Sequence, residues 1–209
     1  MKPIFVTGTG TNVGKTVVSA VLTEALEADY WKPIQAGFED GTDALRVGAL
    51  LTNKISFIHP ELYTLEIPAS PHIAAAAEGK LIRAADIVSH LPKTSNRLII
   101  EGAGGLMVPI NKSQTMLTLI KKLKAQVIIV SKNELGSINH SLLTAMALKK
   151  EGAAVLGWIF NESFMNYEME IAKWSHYPRI GSIRHLEPLN RETVKKEALK
   201  LRRQIKKYL

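Results

Sequence analysis

Short runs of β-branched and aliphatic residues alternate along this chain with longer segments whose apolar positions recur every three or four residues. The first run is PIFVT, Pro3 to Thr7, and a helical pattern from Gly14 to about Ala28 follows it. YWKPI, Tyr30 to Ile34, reads as a second strand and TDALRVGALL, Thr42 to Leu51, as a helix. Further along come LIIE (98–101), the helical TMLTLIKKL (115–123), QVIIVS (126–131), the helical SINHSLLTAMALKKEG (137–152) and VLGWIF (155–160). Continuous apolar strands separated by helices predict an α/β doubly wound fold, a mainly parallel sheet with helices on both faces. Asn53 to Pro71, with three prolines and few periodic residues, reads as the longest irregular segment, and such segments often line sites.

In open parallel sheets ligands bind beyond the carboxyl ends of the strands. Chemistry-bearing residues collect there: Thr7 to Thr16 after the first strand, Lys32 and Gln35-Ala36-Gly37 after the second, Glu101 to Gly105 after LII, Ser131 to Asn139 after VIIV, and Asn161 after WIF. The first group, FVTGTGTNVGKTVV, nearly spells the phosphate-cradling G-x-x-x-x-G-K-[ST], except that Thr9 stands where the first glycine belongs. Its strand–loop–helix setting still predicts backbone N–H groups converging on phosphate oxygens, with Lys15 neutralising the β/γ-phosphates and Thr16 reaching Mg²⁺. An ion there needs carboxylates, and Glu101 is the best candidate; Asp43 is equally readable as a helix-stabilising acid in a first turn. Lys32, between Trp31 and Pro33, reads as a point charge aimed at an anion.

Composition adds limits. With 209 residues, 46% hydrophobic and 22% charged, the chain reads as a single nucleotide-binding domain. It holds no cysteine, which excludes disulfides and thiolate chemistry, and no apolar run approaches the roughly 18 residues of a membrane span. A cytoplasmic protein is the simplest expectation. Of the net charge of +8, most lies in residues 191–209, where eight Lys/Arg face only Glu192 and Glu197. Val194, Ala198, Leu201, Ile205 and Leu209 recur at helical spacing there, predicting a docked amphipathic helix with a solvated basic face rather than a nucleic-acid or membrane surface.

Taken in order, GTGTNVGKT, WKPIQAG, TDAL, SPHIA, IEGAGG, LGSINHSLLT and GWIFNE resemble the motif series of dethiobiotin synthetases, over residues 4 to about 165. That family's loop has five residues between its first glycine and Gly-Lys-Thr, so Gly8 becomes the first glycine. The resemblance implies an ATP- and Mg²⁺-dependent ligase of biotin synthesis, which closes the ureido ring of dethiobiotin from 7,8-diaminononanoate and CO₂ and releases ADP and phosphate. It implies Lys32, Lys15 and Thr11 as catalytic residues, and Thr16, Asp43 and Glu101 around Mg²⁺. Nucleotide contacts are implied for Asn12, Val13, Gly14, Lys15, Thr16, Val17, Gly102, Ala103, Gly104, Asn161, Glu162, Arg184, His185 and Leu186. Substrate contacts are implied for Ala36 and, across a homodimer interface, for Gly136, Ser137, Ile138 and Asn139. Ala36 stands where the family usually carries a hydroxyl, Gly10 and Asn12 where it is often acidic, and Gly181-Ser182-Ile183-Arg184 where it has Gly-x-Ile-Pro. The competing readings are a related amidoligase and an ATP-driven dimerising switch of the partitioning-ATPase kind; the latter places a lysine beside the first loop glycine, which Thr7-Gly8-Thr9 lacks.

Overall fold

The computed structural model describes residues 1–39, 41–162 and 164–209. Seven parallel strands form the main sheet in the order β4 (Ile58–His59), β2 (Asp29–Trp31), β6 (Leu98–Gly105), β1 (Ile4–Gly8), β7 (Gln126–Lys132), β8 (Ala154–Asn161) and β9 (Arg179–Ile183). Successive side chains of a strand point to opposite faces, so an unbroken apolar run serves two cores at once. Ile4, Val6, Ile99, Ile128, Val130 and Ile159 pack with α1 (Lys15–Leu26), α2 (Asp43–Leu50) and α8 (Arg191–Ile205). Phe5, Ile100, Val127, Ile129, Trp158 and Phe160 pack on the other side. Their partners there are α3 (Pro71–Ala77), α4 (Ala84–Ser89), α5 (Met116–Leu123), α6 (Ser137–Lys150) and α7 (Tyr167–Ser175). The doubly wound reading of the sequence is the fold observed.

Three expectations change. YWKPI is not one strand: β2 stops at Trp31, and Ile34–Ala36 forms β3, which pairs in parallel with β5 (Tyr63–Leu65) in a separate two-stranded sheet. Pro33 has no N–H to continue a ladder, and its carbonyl instead accepts from the backbone of Leu62 and Tyr63 at 3.1 and 2.9 Å. Asn53 to Pro71 is therefore only partly irregular, since it contains β4 and β5. Glu101 does not end its strand either; β6 runs on to Gly105, and a Cβ on Gly102 would strike the Phe5 ring, so that glycine serves packing within the sheet.

The basic terminus forms α8, opened by a capping box in which Asn190 Oδ1 accepts from Thr193 N at 3.0 Å. Val194, Ala198, Leu201 and Ile205 are buried against the α1 side, whereas Leu209 lies beyond the helix and is exposed. No helix among the described residues is long and apolar enough to cross a membrane.

Strand order sets the position of the site. The chain leaves β1 toward β2, across the place later filled by β6, and leaves β6 for β7 on the opposite side of β1. The crossovers thus diverge at the β1–β6 pair, and a crevice opens above its carboxyl end.

Candidate active site

The loop from β1 to α1 is bent by two left-handed residues, Asn12 (φ 59°) and Gly14 (φ 91°). Thr9 N donates to the Val130 carbonyl at 3.0 Å, which pins the loop to β7. Gly8 has no room for a side chain, since a Cβ there would meet the Val13 side chain and the Gly10 carbonyl. The glycine that the sequence pattern puts one residue early is thus required by packing. Lys15, in the first turn of α1, folds back over the loop and donates to the Gly10 carbonyl at 3.0 Å. Burial lowers its pKa to about 8, the nearby Lys32 ammonium adds to that, and Glu101 and Asp43 oppose it.

Beside the loop, four elements bring one polar cluster together. Lys32, after β2, pairs with Asp43 at the start of α2 and with Glu101 Oε1 of β6 at 3.2 Å. Thr16, on α1, donates its hydroxyl to Glu101 Oε1 at 3.0 Å, and Tyr30 donates its hydroxyl to Oε2 at 2.9 Å. Glu101 is 1% exposed and Lys32 6%. Charges so removed from water persist only when paired and hydrogen-bonded. Burial works against the Lys32 ammonium, but Glu101 and Asp43 outweigh it and leave its pKa above the ordinary lysine value. Burial and the Glu101 carboxylate push the Tyr30 phenol up as well, so it stays protonated as a donor.

The crevice over this cluster has a volume of about 620 Å³, within the range of small-molecule sites. Of the residues expected from the sequence, Thr11, Asn12, Gly14, Lys15, Thr16, Val17, Lys32, Ala36, Asp43, Glu101, Ala103 and Gly104 line it. Val13 and Gly102 do not: the Val13 side chain turns into the core, leaving its carbonyl to accept from Asn161 Nδ2 at 3.2 Å, and Gly102 faces Phe5. Asn161 ends β8 and Glu162 follows it, with β7 between that strand and the one that feeds the loop, and Arg184, His185 and Leu186 follow β9. Leu186 packs against the core, while His185 is exposed, 3.8 Å from Glu187. Gly136 (φ 93°) caps α6, and Ser137, Ile138 and Asn139 form its first turn, outside the lining of this crevice.

Sequence reading missed Tyr30 and Arg46, which touch the cluster or line the crevice, whereas residues 68–71, the end of the segment read as irregular and site-lining, do line it. Arg46 carried a usable signal, since it follows Asp43 by three positions on a helix. Tyr30 carried none, because an aromatic in a buried strand reads as core. No group of three or more His, Cys, Asp or Glu side chains that could hold a metal occurs among the described residues.

With this arrangement in view, comparison with known proteins is specific. A family described as AAA domain matches residues 2–193. The chain is 47% identical over 204 residues to the ATP-dependent dethiobiotin synthetase BioD of Cytophaga hutchinsonii, covering 96% of this chain and 97% of the relative. It is 43% identical to the protein of that name from Christiangramia forsetii, with 98% of each covered. Among solved structures, the cell division ATPase MinD of Pyrococcus furiosus superposes with a TM-score of 0.66 at 16% identity over 100% of both chains. A ParA family ATPase from Chlorobium tepidum superposes with 0.58 at 14%, over 99% of this chain and 97% of that one. Identities this low speak for a shared fold alone.

Proposed function

This chain belongs to the family of ATP-dependent dethiobiotin synthetases, and from that premise we propose that it closes the cyclic urea of dethiobiotin from 7,8-diaminononanoate, CO₂ and ATP. The observation that carries the reading is the cluster of Lys15, Lys32, Asp43, Glu101 and Thr16 against the phosphate loop. The reaction needs no protein nucleophile. One amine of the substrate captures CO₂ as a carbamate, whose oxygen attacks the γ-phosphorus; ADP leaves, and the second amine then attacks the carbamic-phosphoric anhydride and expels phosphate. Each step brings anions together, so the protein contributes positioning and positive charge. Lys15 lies against the loop that would wrap the phosphates, and Lys32 faces the carbamate. Thr11 borders the reacting groups, and Ala36 offers only backbone where a hydroxyl is usual.

Thr16, Asp43 and Glu101 would hold Mg²⁺. They fit it as three hard oxygen donors gathered at one point, where two carboxylates already draw a cation in the Lys32 ammonium. Two carboxylates and a hydroxyl suit an ion that takes its other ligands from phosphates and water. When bound, the ion supplies charge neutralisation at the β- and γ-phosphate oxygens.

The reading is tested by phosphate release from ATP and Mg²⁺, with diaminononanoate and bicarbonate omitted in turn. Release is expected only when both are present. Release indifferent to the diamine would leave a nucleotide site without the ligase.

The protein acts, in this proposal, as a homodimer whose α6 N-terminus, Gly136 to Asn139, reaches the partner's crevice and meets the substrate carboxylate. Support comes from an apolar surface without a cover: Leu143 and Met146 on α6 are 56% and 67% exposed, and Met107 is 61% exposed. Leu143 and Met107 share a trough with Thr9, Gly10 and Thr11 of the phosphate loop. Replacing Leu143 and Met146 together by Glu is expected to give a monomer in sedimentation equilibrium and to remove ring closure. A dimer surviving both changes would refute this interface.

A further inference from the structure

Beyond the crevice, a second polar network stands behind the carboxyl ends of β7, β8 and β9, and nothing in the proposed chemistry uses it. Its centre is Asn133, the residue after β7, which is 3% exposed. Asn133 N donates to the Asn161 carbonyl at 2.9 Å, and its Nδ2 donates to the Glu162 carbonyl at 3.1 Å and to Glu168 Oε1 at 3.2 Å. Both partners of Nδ2 are acceptors, which fixes the orientation of the amide. Asn133 Oδ1 is left buried with no donor among the described residues. Leaving that oxygen unpaired costs stability, which the bonds of its Nδ2 and backbone N–H offset.

Glu168, in the first turn of α7, is in turn held from the far side. Arg179 Nε donates to its Oε2 at 2.5 Å and Ser182 Oγ at 2.6 Å, while Arg179 Nη2 donates to Ser182 Oγ at 2.9 Å. The contacts run without a break from α7 through Asn133 to the backbone of Asn161 and Glu162. From there the Asn161 amide reaches the Val13 carbonyl, and it packs where a Cβ on Gly14 would stand. Glu162 is itself in a left-handed conformation, φ 62°, which an L-residue keeps only when its surroundings impose it.

We propose that Asn133, locked by Glu168, is a positioning residue that sets the wall formed by Asn161 and Glu162, so that selection of the nucleobase depends on α7. The inference rests on the nucleotide reading given above and on the nucleotide contact that the family resemblance implies for Asn161 and Glu162, which lie outside the crevice lining but touch the phosphate loop through the Asn161–Val13 bond, and so would face the base. The phosphate loop meets this network only at the Asn161 amide and is otherwise held by Thr9 on β7 and by Lys15 of α1, whereas Asn161 and Glu162 hang on Asn133 directly. Loosening the network should therefore weaken contacts to the base and leave contacts to the phosphates unchanged.

The test compares, by calorimetry with Mg²⁺ present, the binding of ATP, GTP and inorganic tripolyphosphate to the full chain and to Glu168→Ala and Glu168→Gln. For Glu168→Ala, ATP affinity is expected to fall about tenfold, the worth of roughly one to two hydrogen bonds. Discrimination between ATP and GTP should shrink with it, and tripolyphosphate affinity should stay constant. Glu168→Gln keeps an acceptor for Asn133 and should recover part of the ATP affinity. Should Glu168→Ala not fold, Asn133→Ser, which leaves the Glu168–Arg179 pair in place, is expected to give the same split. Equal losses for ATP and tripolyphosphate, or no loss for either, would overturn the proposal. Failure of the unsubstituted chain to bind tripolyphosphate at all would instead overturn the nucleotide reading on which it rests.

Discussion

Lys32→Ala is expected to reduce ring closure about a thousandfold, comparable to removing one preorganised charge donor from an oxyanion site. In the proposed reaction Lys32 would bring a cation to the place where the carbamate and the γ-phosphate, both anionic, approach each other. It is buried and already fixed between Asp43 and Glu101, so little reorganisation accompanies the reaction. Stability should fall too, by about 3 kcal/mol, because Glu101 stays in the sheet without its ammonium and keeps only the Thr16 and Tyr30 hydroxyls. Lys32→Arg separates the two effects: it restores a cation between the carboxylates, and so most of the melting temperature, but a planar fork cannot stand in for a point charge at the carbamate. Steady-state phosphate release and a thermal melt of both variants decide the matter. A Lys32→Ala protein within a fewfold of the unsubstituted rate would remove Lys32 from the chemistry.

Gly14→Ala is expected to weaken ATP binding roughly a hundredfold, through two causes that add. Gly14 sits at φ 91° and ψ 24° as the N-cap of α1, a conformation that strains any L-side chain. A Cβ there would also collide with the Asn161 amide and break its bond to Val13, opening the loop on the side facing the end of β8. Gly152→Ala measures what left-handed strain alone costs the fold away from the loop. Gly152 has φ 64° with nothing within 4 Å of a Cβ, so that variant should lose about 1 kcal/mol of stability and bind ATP normally. Titrating both with ATP and with tripolyphosphate, beside a thermal melt, shows whether the Gly14 variant loses binding beyond what a loss of stability of that size produces. Equal behaviour of the two variants would mean that the contact with Asn161 has no part in holding the nucleotide.

Much of this site could be read from residues in order, because its parts are local. The strand–loop–helix of residues 4–26, the small residues after Glu101 and the lysine trapped between Trp31 and Pro33 each carry their signal within a few positions. The opening loop was legible once Gly8 was taken as its first glycine, and the structure adds the reason in the Val13 and Gly10 atoms that crowd it. Asp43 was ambiguous for an equally physical reason, since an acid in a first helical turn has a use whether or not anything binds. YWKPI misled because apolar periodicity does not register that Pro33 ends a ladder. Asn133 stood within the Ser131–Asn139 stretch after a strand but with nothing to single it out, and Glu168 gave no sign at all, being an ordinary polar residue in a helix.

Periodicity and spacing thus determined the central strands β1, β2, β6, β7 and β8 and most of the helices between them, though not β4, β5, β9, α4 or α7. Tertiary structure alone decided which strand ends meet. Lys32 and Glu101 are 69 positions apart, and they touch because β6 enters the sheet between β1 and β2. Strand order follows from how crossovers bury both faces of the sheet, a property of the whole chain's packing that no local pattern of residues encodes.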